Sequence, residues 1–309
     1  MVHFTALTAF TALSLSSAVL GAPTTQDAGI PDPSSVKTPV LGFDPAVVEA
    51  SRKGRLPYVA PPQILNLDVA SLEEGNATEF APSSHGAEQQ KRGVIGNDDR
   101  VLWTNKDYPY RAMGRIVQSN GVVCSGALIG SRHVATARHC IPPAGVSARF
   151  QPAYDNGEPY GGYDVTLVVH AAYGQEGWCA NTYDWAIFVL GDKAGTANGW
   201  LGLKIVNPDT QLNRAMFFNY GYPGDKGANR PYRQEGITAT AATYCDRGSP
   251  VITDTDSAGG QSGGPVWINE NGERYLYAIH VGSGADFSVA AGGTSFLNAY
   301  GNLLKDYPN

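Results

Sequence analysis

The stretch Gly259–Val266, GGQSGGPV, sets one serine, Ser262, among four glycines and runs on into an apolar segment. Glycine has no Cβ, so the backbone here can bend until neighbouring N–H groups point at one spot beside the serine hydroxyl. The amides of Gly260 and Ser262 are the candidates for such a pair. In a chain with 37 glycines, an ordinary tight loop has the same look. The turn decides the reading only if the rest of the sequence supplies a base, an acid and strands to hold them.

A serine hydroxyl is a poor nucleophile until a base takes its proton. After residue 92 the histidines are His133, His139, His170 and His280. His139 lies in VATARHC, directly after an apolar segment and before Cys140, where a disulfide could fix the loop and with it the imidazole. Bridging Cys140 to Cys124, in VVCSGALIG, would close a loop of about 16 residues, worth roughly 3 kcal/mol by chain entropy. The base in turn needs a carboxylate to hold its tautomer. NTYDWAIFVL puts Asp184 at the head of the most apolar segment in this part of the chain. Asp164 and Asp192 compete on composition, but neither has both the apolar flank and the chain order.

Around these residues the sequence is a series of short β-type segments separated by Gly, Pro and Asn, including RAMGRIVQ, VVCSGALIG, HVATA, DVTLVVHAAY, DWAIFVLG, AMFFNYGY, EGITATAATY, GPVWIN and YLYAIHVG. That pattern predicts an all-β fold, a sandwich or small barrels. Only the final TSFLNAYGNLLKDY has helical spacing.

The first third reads differently. Residues 1–21 are short, apolar and end in small residues, as an export signal does. Residues 22–92 are rich in proline, lack cysteine and carry one helix candidate, PAVVEASRKG, which fits a propeptide. It ends at Lys91-Arg92, a dibasic pair of the kind cut by kexin-type processing proteases. Residues 93–309 then form the working domain. All four cysteines, Cys124, Cys140, Cys179 and Cys245, fall in it, and an even count in an exported chain predicts two disulfides. Without a CxxC pair, metal binding is the weaker reading of them. Net charge is −6 and no basic run accompanies an aromatic one, which argues against nucleic acid as a partner. Beyond residue 21 the longest apolar run is WAIFVL, too short for a membrane helix. The expectation is a secreted monomer that needs no metal or cofactor.

The segments SGALIGSRHVATARHC, DWAIFVL and GGQSGGPV, in the order His, Asp, Ser, resemble the chymotrypsin-fold serine proteases. The stretch GVIGNDDRVLWTNKDYPYRAMGRIV is similar to the mature N-termini of the bacterial and fungal glutamyl endopeptidases. The similarity covers most of residues 93–284. It implies two six-stranded antiparallel β-barrels, with His139 and Asp184 from the first, Ser262 from the second and the site in the cleft between. It also implies a serine endopeptidase that cuts proteins or peptides after Glu, or Asp. In that branch the specificity pocket would be lined by Ser257, His280 and Ser283, and the amine freed at Gly93 or Val94 would help recognise the acidic side chain. With Cys124 and Cys140 paired, Cys179 and Cys245 are left to pair by elimination, which no spacing rule establishes.

Three residues depart from the broader pattern. Arg138 stands where the family usually has a small residue. Asp256, six before Ser262, stands where trypsins carry the aspartate that attracts Arg and Lys, so cleavage after a basic residue is the alternative. Gln261 replaces the aspartate that, in chymotrypsin and trypsin, pairs with the freed N-terminus, and an amide there resembles the glutamyl branch. A non-catalytic trypsin-fold binding protein is a further alternative, but such proteins usually lose a triad member and none is lost here.

Overall fold

The computed structural model describes residues 35–37, 39, 41–54, 59–69, 72, 79–83, 98–172 and 177–309, save the side chains of 243 and 244. The expected export signal, Lys91-Arg92, Gly93 and Val94 lie outside the described residues.

Six strands make the first barrel: β1 (Met113–Gln118), β2 (Val122–Leu128), β3 (His133–Ala137), β4 (Ala148–Pro152), β5 (Tyr163–Ala171) and β6 (Trp185–Leu190). They run in the order β2-β1-β4-β5-β6-β3, and β3 closes back on β2. The second barrel repeats the plan with β7 (Ala215–Gly221), β8 (Tyr232–Asp246), β9 (Ser249–Thr253), β10 (Pro265–Glu270), β11 (Glu273–Ser283) and β12 (Ser288–Gly292). Its order is β10-β7-β8-β9-β12-β11, closed by β10 on β11. Every barrel neighbour is antiparallel, as the sequence led us to expect.

The apolar run WAIFVL is buried at every position, with no alternation. A strand loses its period of two when both of its faces are covered. Helix α1 (Gly293–Asp306) supplies the second cover: Phe296 lies against Trp185 at a ring separation of 5.5 Å, and the Tyr300 hydroxyl donates to the Ile129 carbonyl at 2.7 Å. The chain thus returns from the second barrel to cap the first.

Two disulfides brace this frame, Cys124–Cys140 across the β2 and β3 hairpin and Cys179–Cys245 from the turn Gly177–Tyr183 to the end of β8. The second ties the approach to Asp184 to the other barrel.

The segment upstream of the barrels is more ordered than its composition suggests. Gly42 and Phe43 pair antiparallel with Val123 and Val122 of β2. Asp44 caps the helix Pro45–Arg52, its Oδ1 accepting from the Ala46 N–H at 2.9 Å. Gln63–Leu67 runs parallel to β5, and Glu79–Phe80 pairs with Leu203 and Lys204, a short strand beside β11. Only the helix was legible; the three strands contain few residues and form because barrel edges offer them partners. Among the described residues no helix is long and apolar enough to cross a membrane.

Candidate active site

The serine turn is held from the first barrel. Ser125, next to Cys124, donates its N–H to the Ser262 carbonyl at 2.8 Å and its hydroxyl to the Gly260 carbonyl at 2.8 Å. The Tyr222 N–H donates to the same hydroxyl at 2.9 Å. From the second barrel, the Gly263 N–H donates to the His280 carbonyl and the His280 N–H to the Gly264 carbonyl. Gly260 and Gly263 have φ of +100° and +85°, and a Cβ on Gly263 would lie 2.2 Å from the Ser125 carbonyl oxygen. Here glycine is required by both conformation and space. Sequence reasoning missed Ser125, whose role depends on a contact between barrels.

His139 follows β3 and Asp184 precedes β6, and those strands pair up to Ala137 and Trp185. The register therefore brings the two side chains together. Asp184 Oδ2 lies 2.7 Å from His139 Nδ1, and Asp184 Oδ1 accepts the His139 N–H at 3.0 Å. The same carboxylate thus orients the ring and the backbone beneath it. Gln118 adds a 2.8 Å bond from its amide to the Cys140 carbonyl, fixing the turn on its other side. His139 Nε2 is buried without a hydrogen-bond partner, and the Ser262 carbonyl lies 3.7 Å from Cys140 Sγ, beside that histidine. Arg138 is half-buried, and its N–H donates to the Asp184 carbonyl at 3.0 Å, a further backbone tie between the two turns.

Next to the turn is a cavity of about 530 Å³, lined by Ser257 and Ser283 and, on its walls, Asp99, Asp254, Asp256 and Asp286. His280 is 3% exposed and not part of that lining; its Nδ1 is buried without a partner. Burial, with His139 nearby as a second cause, pushes His280 down to about 4. Asp256 is turned onto the upstream backbone, its Oδ2 accepting the Asp99 N–H at 3.1 Å. Burial and the Asp256 carboxylate push Asp99 up to about 6.

These shifts have a consequence for acid stability. Burial also lowers His133 to about 4. Both histidines stay neutral in the fold while the unfolded chain protonates them near pH 6.5. Stability should therefore be level with respect to these two groups above pH 6.5 and fall as pH drops toward 4, by roughly 2–3 kcal/mol for each histidine. Asp99 and Asp254, both raised by burial, act with the opposite sign and disfavour the fold as pH rises, whereas His170, lowered by burial, acts with the other two histidines. Urea titrations at pH 7 and 4.5 test this. His280→Val should shrink the difference, and an undiminished difference would contradict the assignment.

Gln261 is 1% exposed and fully engaged. Its Oε1 accepts from Arg100 Nη1 at 2.7 Å and from the Ala258 N–H at 2.9 Å, and its Nε2 donates to the Asp256 carbonyl at 3.2 Å. Arg100 is itself held between Asp98 and Asp225, with contacts of 2.8 Å and 2.7 Å. A positive group from the segment following the expected processing site thus reaches the serine turn, but it is a side chain and not a terminal amine. Arg100 was visible only as the arginine of NDDR; its partners Gln261 and Asp225 are far away in sequence.

The sequence profile of the trypsin family matches residues 103–297. Over 185 residues the chain is 34% identical to a glutamyl endopeptidase of Bacillus licheniformis, covering 57% of this chain and 55% of that protein. It is 24% identical over 271 residues to serine protease 23 of Macaca mulatta, covering 72% of this chain and 66% of that one. The chain thus spans a little over half to two thirds of these relatives' lengths. Among solved structures, a Glu endopeptidase bound to MPD matches with a TM-score of 0.57 at 21% identity, over 68% of this chain and 99% of its own. Human heparin binding protein matches with a TM-score of 0.50 at 16% identity, over 67% and 97%. At those identities the two structures speak to the fold alone.

Proposed function

This chain belongs to the trypsin family, and from that premise we propose that it is a secreted serine endopeptidase that cuts proteins or peptides after glutamate. The observation that carries the reading is the 2.7 Å contact between His139 Nδ1 and Asp184 Oδ2, beside a serine turn fastened to the same disulfide-braced hairpin. In this proposal His139 Nε2 takes the Ser262 hydroxyl proton as Oγ attacks the substrate carbonyl, and Asp184 holds the imidazolium. The Gly260 and Ser262 amides stabilise the oxyanion. Protonated His139 then gives its proton to the leaving amine. Water releases the acyl group through the same base, regenerating the Ser262 hydroxyl. Maturation by cleavage after Lys91-Arg92 belongs to the same proposal.

The glutamate preference is supported by the 34% identity to the Bacillus glutamyl endopeptidase and by His280, which lies on the strand that ends in Ser283 of the pocket rim. A neutral imidazole donates one N–H, and a bond from it to a substrate carboxylate is worth roughly 1.5–3 kcal/mol, or about 10 to 150-fold in rate. The acidic walls, Asp254, Asp256 and Asp286, favour a second reading, cleavage after Arg or Lys. A peptide-library digest with the processed protein separates the two. Cleavage is expected after Glu, with His280→Val losing it about 10 to 150-fold. Cleavage confined to Arg and Lys would install the second reading, and no cleavage at all would leave a binding protein of the same fold.

A further inference from the structure

Two described points of the upstream segment touch the walls beside the serine turn. At one end the Lys37 N–H donates to the Ser283 carbonyl at 2.9 Å, and Lys37 lines the acidic cavity with Ser257 and Asp256. Val36 packs against the shared core. At the other end Gly42 pairs with Val123 on β2 and lies so close to the turn that a Cβ on it would be 2.8 Å from Gly260 Cα and 3.3 Å from the Gly259 carbonyl oxygen. Lys37 is thus bound to β11 of the second barrel, and Gly42 to β2 of the first and to the glycines that precede Ser262. An extended chain that bonds its backbone to both barrel edges occupies the place a substrate strand needs.

Two residues beyond Gly42, the segment is anchored by charge. Arg115, on β1, is 2% exposed and its guanidinium lies 3.6 Å above the Tyr154 ring. Its Nε donates to Gln151 Oε1 at 2.7 Å, and its Nη1 donates to Asn229 Oδ1 and to Asp44 Oδ2, each at 2.9 Å. Gln151 and Asn229 are neutral, so the carboxylate that balances this buried cation comes from the upstream segment. A buried arginine fork with neutral acceptors on its flanks is built to take a carboxylate.

We propose that Arg115 is a carboxylate-binding site at the end of the substrate cleft, and that Asp44 docks there to hold Lys37 and Gly42 against the two barrel edges in place of substrate. This rests on the protease reading of the same cleft. The sequence from Val36 to Asp44 contains no glutamate, so under that reading the bound strand blocks the site without being cut there. Cleavage after Arg92 then leaves the strand in place, and full activity requires the strand to leave as well.

The test is the rate at which a serine-directed phosphonate labels Ser262, followed by intact mass. The uncut full chain is expected to label slowly. Asp44→Asn keeps the helix cap but removes the charge, and Lys37→Pro removes the N–H that reaches Ser283; each should speed labelling of the uncut chain at least tenfold. A synthetic peptide of residues 35–54 should slow labelling of processed protein from which the upstream segment has been separated, and its Asp44→Asn version should need at least tenfold more peptide for the same effect. Equal labelling of uncut, variant and processed protein would overturn the strap while leaving the protease reading intact. Peptide binding measured by calorimetry on the processed protein is the independent readout. If nothing labels but the peptide still binds and Asp44→Asn weakens it, the cleft assignment stands and the protease reading fails; no peptide binding overturns the proposal.

Discussion

Replacing Ser262 by alanine is expected to lower kcat on a Glu-containing peptide by about a million-fold, with the folded state unchanged. In the proposed mechanism the hydroxyl bears the bond-forming oxygen, and neither His139 nor the turn's amides can substitute for it. What remains should be a residue of catalysis from oxyanion binding alone, roughly a thousandfold over water. The turn itself is held through backbone groups, the Ser262 and Gly260 carbonyls accepting from Ser125, so loss of one hydroxyl does not release it. Thermal melting should accordingly match the parent to within about 1 kcal/mol, in the range of ordinary substitutions that break no core contact. Turnover within tenfold of the parent would place the nucleophile elsewhere.

Changing Asp184 to asparagine should cost about ten-thousandfold in kcat, with KM nearly constant. Asp184 serves two donors at once, the His139 ring at 2.7 Å and the His139 N–H at 3.0 Å. An asparagine can keep the backbone bond through its oxygen, but its amide nitrogen then faces Nδ1 and asks that atom to accept. The proton moves to Nε2, the atom that receives the serine proton in the proposed mechanism. The defect is therefore one of tautomer and should show in the pH profile as well as in the rate. A loss below tenfold would mean that Asp184 only caps β6.

What the sequence revealed tracks where local chemistry is self-sufficient. WAIFVL, VVCSGAL and HVATA announce themselves as strands because their own side chains form the barrel core. ARFQP (β4), SPVIT (β9) and SVAAG (β12) do not: they carry arginine, proline or small residues, and become strands through the neighbours that close each barrel. The site shows the same division. His139, Asp184 and Ser262 each sit in a distinctive local string, whereas Ser125, Arg100 and Arg115 look like ordinary surface residues until the fold buries or couples them. The upstream segment was the least legible part. Its strand Gln63–Leu67 is mostly exposed and has no core of its own to advertise it.

That borrowed order has a consequence for how activity would be dosed. Strands of the upstream segment are paired with both barrels, so within one chain they meet their binding edges at an effective concentration near the millimolar range. Severing the link at Lys91-Arg92 would turn the arrangement into a complex of two molecules, whose survival depends on how much of each is present. Crowded together, the pieces would stay associated; diluted into a large outside volume, they would part. The trigger for activity would then be volume as much as cleavage, and specific activity per molecule would rise as the processed protein is diluted.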